Sequence, residues 1–389
     1  MDLLSAISGK RRTDVPVTGR RPRRILHVVN RLGDRGDGIS NMCVDLACQQ
    51  AIDGEAVGVA TSLGGYTDLV ARLGVTVTEV DFRVRRATGV ARAVVRLRRL
   101  VRTLEPEIVH AHTLLATVLA RVATVGTSAR VVATVHNDYQ RGVVLMAAAH
   151  RVVGVSAAVS DAMRGRGVPR RKIRTVLNGT VGSVRRNTPP AGSDVQLAGP
   201  AVVTVGAVSH RKGADLLVAA AAQLARSHGV HTYFAGNVDW EGPRRAAEES
   251  PVADHIHFLG FQPDPRRLLA QATIFVLPSR RDPAPLALIE AMEAGVPIVA
   301  AAVDGVPELL DHGDAGVLTV PDDVDTLVRA VRHMLDDEDE RRRLADAARH
   351  RSASLSVDRV AAGYRDVYDE LIRAASRPPG PPGIGRGRS

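Results

Sequence analysis

Two series of short β-branched runs, each alternating with segments of helical spacing, constrain this chain more than any other feature. In the first series, ILHVVN (25–30), AVGVAT (56–61), VTVTEV (75–80), IVHAHT (108–113), VVATVH (131–136), RVVGVS (151–156) and IRTVLN (173–178) read as strands. Segments 39–52, 88–104 and 157–164 between them have helical spacing. The second series runs through AVVTVGAV (201–208), HTYFAG (231–236), HIHFLG (255–260), IFVLPS (274–279), PIVAAAV (297–303) and GVLTV (316–320). Its helices fall near 214–227, 285–294, 323–335 and 338–352. Strand, helix and strand in this alternation are the signature of a parallel sheet. The fold class is therefore α/β, with two doubly wound Rossmann-like domains, 25–185 and 201–356, facing across a cleft. A Pro/Gly-rich linker occupies 186–200, and a last helix spans 357–375. Residues 1–24 and the Pro/Gly tail 376–389 read as disordered extensions. In such sheets ligands bind outside the carboxyl ends of the strands, so the crevice between the domains is the expected site.

Composition narrows the partners. No run of 18 apolar residues is present, so no spanning helix is expected. The first 24 residues lack the apolar stretch of a secretory signal. Cys43 and Cys48 are the two cysteines, and five positions apart on a helix they sit too far apart to bridge. This fits a reduced, cytoplasmic compartment. Residues 1–190 carry 30 basic and 14 acidic side chains, and the remainder 22 and 28. A basic first half calls for an anionic partner, a membrane surface or an anionic substrate. Nucleic acid is not expected, because few aromatics accompany the basic stretches. Helix 88–104 sets Val94, Val95, Leu97 and Leu100 against Arg92, Arg96, Arg99 and Arg102. It either lies on anionic lipid at the inner face of a membrane or packs on its own sheet.

Chemistry-bearing positions fall where strands end. The loop RLGDRGDGISN (31–41) carries Gly33, Gly36 and Gly38 before a helix, a place where backbone can approach a phosphate. It is not G-x-G-x-x-G, so a dinucleotide site is not indicated. In VGAVSHRKGADLL (205–217), Lys212 is one of three lysines in a chain with 49 arginines. A compact point charge in a glycine-flanked loop suits a pyrophosphate. In PSRRDPAPLALIEAMEAGVPIVAAAVDGVPELL (278–310), Pro283 and Pro285 mark a helix start, and Leu286 and Ala287 supply first-turn amides to a phosphate. Asp282 stands eight residues before Glu290, and serves either a ligand or the helix N-cap. Glu290 lies in an apolar stretch and needs a donor partner, which a ribose diol would provide, as would an arginine or a backbone amide. His136, at a strand end, is placed to meet a substrate hydroxyl. His110 and His112 share a strand face, but no third ligand has matching spacing, so no metal is expected.

VVATVH, GVSAAVSDAMRGRGVPRRKIRTVLNGT, VGAVSHRKGADLLVAA and the D-x7-E segment resemble, in order and spacing, retaining nucleotide-sugar glycosyltransferases of family four, which have the GT-B fold. The resemblance covers residues 25–375. It implies a donor nucleotide sugar, a UDP-sugar before others, held mainly by the second domain and an acceptor held mainly by the first. It implies no metal or other cofactor, and a final helix that returns to the first domain. By the same resemblance, Glu290 holds the ribose diol and Asp282 contacts donor-sugar hydroxyls. Lys212, with Leu286 and Ala287, meets the pyrophosphate; Gly38 lies near the phosphate; His136 stands beside the reacting centre. Gly260 and Phe261 line the base pocket. Three positions depart from the family pattern. Ala207 stands where an arginine is usual, with Arg211 as its nearest substitute. Asp37 replaces the first glycine of a pair, and Asp282 replaces a glutamate. These departures leave two alternatives open, a sugar-nucleotide epimerase on the same architecture and a catalytically silent binding paralogue. The basic first half points to a lipid-linked or membrane-surface acceptor.

Overall fold

The computed structural model describes residues 21–33, 36–82, 86–186 and 195–376. Of the expected extensions 1–24 and 376–389, residues 1–20 and 377–389 lie outside them, as does most of the expected linker; Arg23 is buried, Arg24 opens the first strand and Ser376 ends the last helix, so the folded chain reaches beyond the expected bounds. Seven parallel strands form the first sheet: β1 (Arg24–Arg31), β2 (Ala56–Ser62), β3 (Thr76–Glu79), β4 (Ile108–Ala111), β5 (Arg130–Val135), β6 (Arg151–Gly154) and β7 (Ile173–Thr175). Their order is β3-β2-β1-β4-β5-β6-β7. The second sheet has β8 (Ala201–Val205), β9 (His231–Ala235), β10 (Ile256–Gly260), β11 (Ile274–Leu277), β12 (Ile298–Ala301) and β13 (Val317–Thr319), in the order β10-β9-β8-β11-β12-β13.

Both faces of each sheet are covered, which explains why the strands read as apolar runs without polar alternation. Successive residues point to opposite faces. Leu26, Val109 and Val131 enter one core of the first sheet, while Ile25, Ile108 and Val132 enter the other. In the second sheet Val203, Phe275 and Ile298 go one way, and Val202, Ile274 and Val299 the other.

The helix Val357–Ser376 covers the face of the first sheet built on Ile25, Ile108, Val132 and Val153. Val360, Ala361, Tyr364, Val367, Tyr368 and Leu371 recur at helical spacing and are all buried there. Burying that stripe contributes on the order of 10 kcal/mol of transfer free energy before the entropy of ordering the helix. Arg23 fixes its register, donating to Asp369 at 2.5 Å and to Glu55 at 2.7 Å.

The basic helix Ala87–Leu104 resolves one sequence-level alternative. Its apolar stripe, Ala93, Leu97 and Val101, is buried in the core of its own sheet. Arg92, Arg96, Arg99 and Arg102 remain exposed. The buried stripe is therefore unavailable to lipid, and the outward face offers the arginines with Val95, which is exposed rather than part of the packed side. Among the described residues, no helix is long and apolar enough to cross a membrane.

Each strand order reverses once, between β1 and β4 and between β8 and β11. At such a switch point adjacent loops diverge and leave a crevice at the carboxyl ends of the strands. The segments after β1, β8 and β11 are the three loops singled out by sequence.

Candidate active site

The first-domain loop after β1 faces the second domain. A Cβ added to Gly36, whose φ is 64°, would lie 3.8 Å from the Phe261 ring, and one on Gly38 would lie 3.8 Å from Leu286 Cδ1. The fold thus brings Gly38, Phe261 and the Leu286–Ala294 helix start together across the cleft. The first helix start is not open to an anion as the glycines alone imply. Asp37 is its N-cap, and Oδ1 accepts from the Ile39 and Ser40 amides at 3.1 and 3.3 Å. A carboxylate there satisfies the orphan amides and offsets the positive helix end.

The second-domain half of the site rests on a close approach of two loops. Gly213 has φ 68°, and a Cβ there would fall 2.0 Å from the Pro278 carbonyl oxygen, so only glycine fits between the two strand ends. This places Lys212 beside Asp282. Lys212 Nζ donates to Asp282 Oδ2 at 2.7 Å, and Ser279 Oγ donates to the same oxygen at 3.0 Å. Arg211 lies 3.9 Å from Asp282 Oδ1. It also donates to the Arg281 carbonyl at 3.0 Å. Asp282 is 5% exposed. It is not a helix cap: the N-cap of Leu286–Ala294 is Pro285, and no side chain caps that helix. The amides of Leu286 and Ala287 therefore keep their anion-binding capacity, in contrast to the first-domain helix.

Glu290, one turn further on, is half-buried and makes no hydrogen bond to any described residue. Burial raises its carboxyl above the ordinary range, opposed by Arg186 and Arg185. Arg185 is committed elsewhere, donating to buried Asp45 at 2.8 and 2.7 Å. Arg186 pairs with Glu293. The arginine partner weighed from sequence is thus near Glu290 without bonding it, and the carboxylate keeps its acceptor capacity. An apolar groove is lined by Val218, Trp240 and Pro243, and its one carboxylate, Asp215, is held by Arg280 at 2.7 and 2.8 Å.

From the first domain, His136 follows the end of β5 and is half-buried. Burial lowers its pKa to about 4, against an upward pull from Asp37, so the ring is neutral at neutral pH. Its Nε2 lies 3.3 Å from His112 Nδ1. His110 and His112 stack with centroids 4.3 Å apart, as their shared face predicts. The expectation that no third metal-type ligand accompanies them needs correcting, since His27 and Cys43 come from other elements and join His112 with ligand atoms within 4.8 Å.

Two family models match the chain in succession. "Glycosyltransferase Family 4" covers residues 36–181, and "Glycosyl transferases group 1" covers 192–351. The chain belongs to the GT-B glycosyltransferases. Over 214 residues it is 28% identical to the lipopolysaccharide core biosynthesis glycosyltransferase LpsE of Rhizobium meliloti, covering 54% of this chain and 59% of that protein. The chain spans only about half the length of the curated relatives it matches. A glycosyltransferase structure from Rickettsia africae superposes with a TM-score of 0.78 at 17% identity, over 91% of this chain and 100% of that one. Anabaena HepE in complex with UDP and glucose superposes at 0.74 and 18%, over 89% and 99%.

In this GT-B chain the residues that sequence reasoning missed are those holding the two domains together. Arg281 donates to Asp138 of the first domain at 2.9 and 3.1 Å, and to Asp304 at 3.0 Å. The Tyr139 ring lies beneath Arg211 and Arg281, at 5.8 and 5.5 Å. Glu308 accepts from the Ala157 amide at 2.7 Å, and Asn178 donates to the Ala284 carbonyl at 3.1 Å. Only Asp138 carried a local signal, its place just after His136 at a strand end.

Proposed function

We propose that this chain transfers a hexose-type sugar from a nucleoside diphosphate sugar to an acceptor hydroxyl, with retained anomeric configuration and without a metal. The observation that carries the reading is Glu290. It is a half-buried carboxylate with no hydrogen-bond partner among the described residues, one turn from an uncapped helix start. A ribose diol at Glu290 and a diphosphate at the Leu286 and Ala287 amides would satisfy both. The complexes of Anabaena HepE with UDP, with UDP and glucose and with UDP-glucose support a UDP-sugar as the first donor to test.

As the bond from the sugar C1 to the β-phosphate oxygen breaks, charge builds on the leaving diphosphate. Lys212, assisted by Arg211, and the helix-start amides stabilise it. The acceptor oxygen bonds to C1 on the face the diphosphate leaves, and its proton passes to a leaving phosphate oxygen. Asp282 holds Lys212 in place and presents its second oxygen toward the donor sugar, with His136 on the opposite wall. The Gly260–Phe261 segment lines the base end. Closure of the two domains excludes water from this step.

A thermal-shift screen against UDP, GDP, ADP and dTDP tests the donor. One nucleotide at 100 times its Kd is expected to stabilise the protein by about 2.7 kcal/mol, and Glu290→Ala to abolish the shift. No shift with any of them would replace the transferase by a catalytically silent protein.

The exposed arginines of the Ala87–Leu104 helix support peripheral contact with an anionic membrane surface, where a lipid-linked acceptor would be met, at the cytoplasmic face. Because the main apolar stripe of that helix is buried and Val95 alone of its large apolar residues is exposed, binding should be chiefly electrostatic. Cosedimentation with vesicles containing phosphatidylserine is expected at low salt and should disappear near 0.5 M salt. Binding that persists in high salt, or none at low salt, would contradict it.

A further inference from the structure

A continuous chain of buried side chains runs from the last helix to His136. Gln50 Nε2 donates to Tyr368 Oη at 3.3 Å, and Gln50 Oε1 lies 2.8 Å from His27 Nε2. His27 Nδ1 is 3.0 Å from His112 Nε2, and His112 Nδ1 is 3.3 Å from His136 Nε2. On the other side of Tyr368 its hydroxyl lies 2.7 Å from His110 Nδ1, and His110 Nε2 lies 2.7 Å from Thr134 Oγ1. His27, His110 and His112 are at most 2% exposed.

A neutral imidazole has one N–H and one lone pair, so each ring in such a chain passes its polarity to the next. Gln50 Oε1 can only accept, so His27 carries its proton on Nε2. His27 Nδ1 must then accept from His112 Nε2–H, and His112 Nδ1 from His136 Nε2–H. Tyr368, accepting from Gln50, turns its own proton toward His110 Nδ1, and His110 Nε2–H donates to Thr134. Every ring proton in the network has one acceptor, and the orientation of the Gln50 amide, with Nε2 toward Tyr368 and Oε1 toward His27, sets their direction.

We propose that Gln50, His27, His112 and Tyr368 are positioning residues that lock His136 in the Nε2–H tautomer and leave its Nδ1 lone pair to accept a hydrogen bond from a substrate hydroxyl. Nδ1 has no hydrogen-bond partner among the described residues, on the ring edge turned away from the core. In this tautomer His136 accepts from a sugar or acceptor hydroxyl and cannot donate to a phosphate oxygen. That role toward a hydroxyl rests on the glycosyltransferase reading above; the tautomer does not. The His27, His112 and Cys43 cluster does not favour a metal instead. All four imidazole nitrogens of His27 and His112 are engaged, and a metal on either inward lone pair would break the chain.

The test is a long-range ¹H–¹⁵N correlation on the full chain labelled with ¹⁵N-histidine, His136 being assigned with His136→Asn. His136 is expected to show protonated Nε2 and bare Nδ1. Tyr368→Phe removes the hydroxyl that accepts from Gln50 Nε2 and frees the amide to turn, so it should make the Nδ1–H form of His136 appear and lower kcat about tenfold with KM little changed, the effect of one hydrogen bond lost at the reacting centre. An Nδ1–H or doubly protonated His136 in the unmodified protein would overturn the proposal. So would an unchanged tautomer in folded Tyr368→Phe, or stoichiometric zinc in the purified protein. Because the spectrum needs neither donor nor turnover, failure of the tautomer and failure of the transferase reading are separate results.

Discussion

Replacing Lys212 with alanine is expected to lower kcat/KM for sugar transfer by about 10²-fold or more, the typical consequence of removing a preorganised group that meets developing charge. The structure adds a second effect to this proposed role. Lys212 Nζ is 2.7 Å from Asp282 Oδ2, and Asp282 is nearly buried. Removing the ammonium leaves a carboxylate supported by Ser279 and, at 3.9 Å, by Arg211. Breaking a buried pair from one side costs about 3–5 kcal/mol, so Lys212→Ala alone should also lower Tm. The double variant Lys212→Ala/Asp282→Asn separates the two effects. Neutralising Asp282 should recover most of the stability without recovering transfer. Turnover within about threefold of the unmodified protein, in either variant, would show that Lys212 serves Asp282 and not a diphosphate.

What was legible in the sequence follows from which interactions are local. All thirteen described strands were visible as β-branched runs, because parallel strands buried on both faces leave no room for polar interruption. Short helices were missed. Leu114–Ala123 is apolar enough to merge with the strand before it, and Thr67–Arg72 and Arg266–Leu269 are too short to show a period. Within the site, Lys212 stands out as one of three lysines among 49 arginines, Glu290 as a carboxylate in an apolar stretch, and Asp282 by its place eight residues before Glu290. The proximity of Lys212 to Asp282 was not legible, since it depends on Gly213 fitting under the Pro278 carbonyl, 65 positions away in sequence. The same holds for Asp37. As a residue it reads as a carboxylate spoiling a phosphate loop; in the fold it is a helix cap. The contacts between domains, Arg281 with Asp138 and Glu308 with Ala157, join distant segments whose residue types are common on any surface. No periodicity encodes them.

The buried histidines should make the protein acid-labile well above the pH at which carboxylates titrate. Burial lowers His27 and His136 to about 4 and holds His110 and His112 well below the ordinary histidine value of 6.5. At pH 7 all four are neutral in the folded chain and mostly neutral in the unfolded one, so they contribute little pH dependence there. As pH falls through 6.5 the unfolded chain takes up protons that the folded chain refuses, and stability is lost down to the folded values. Each such group contributes about 1.4 kcal/mol per pH unit in that window. Four together approach about 5.5 kcal/mol per unit, against a total stability on the order of 5–15 kcal/mol. Asp215 and Glu370, held low by their arginine partners, act in the same direction only at lower pH. Glu290, raised by burial, opposes them. Tm measured between pH 7.5 and 4.5 should therefore be flat at first, then fall steeply below about pH 6, with unfolding before pH 4. In His136→Asn the slope near pH 5 should drop by about one proton. A Tm that stays level down to pH 5 would mean that the histidines accept protons inside the folded chain, and that the neutral, single-proton polarity of the network does not hold.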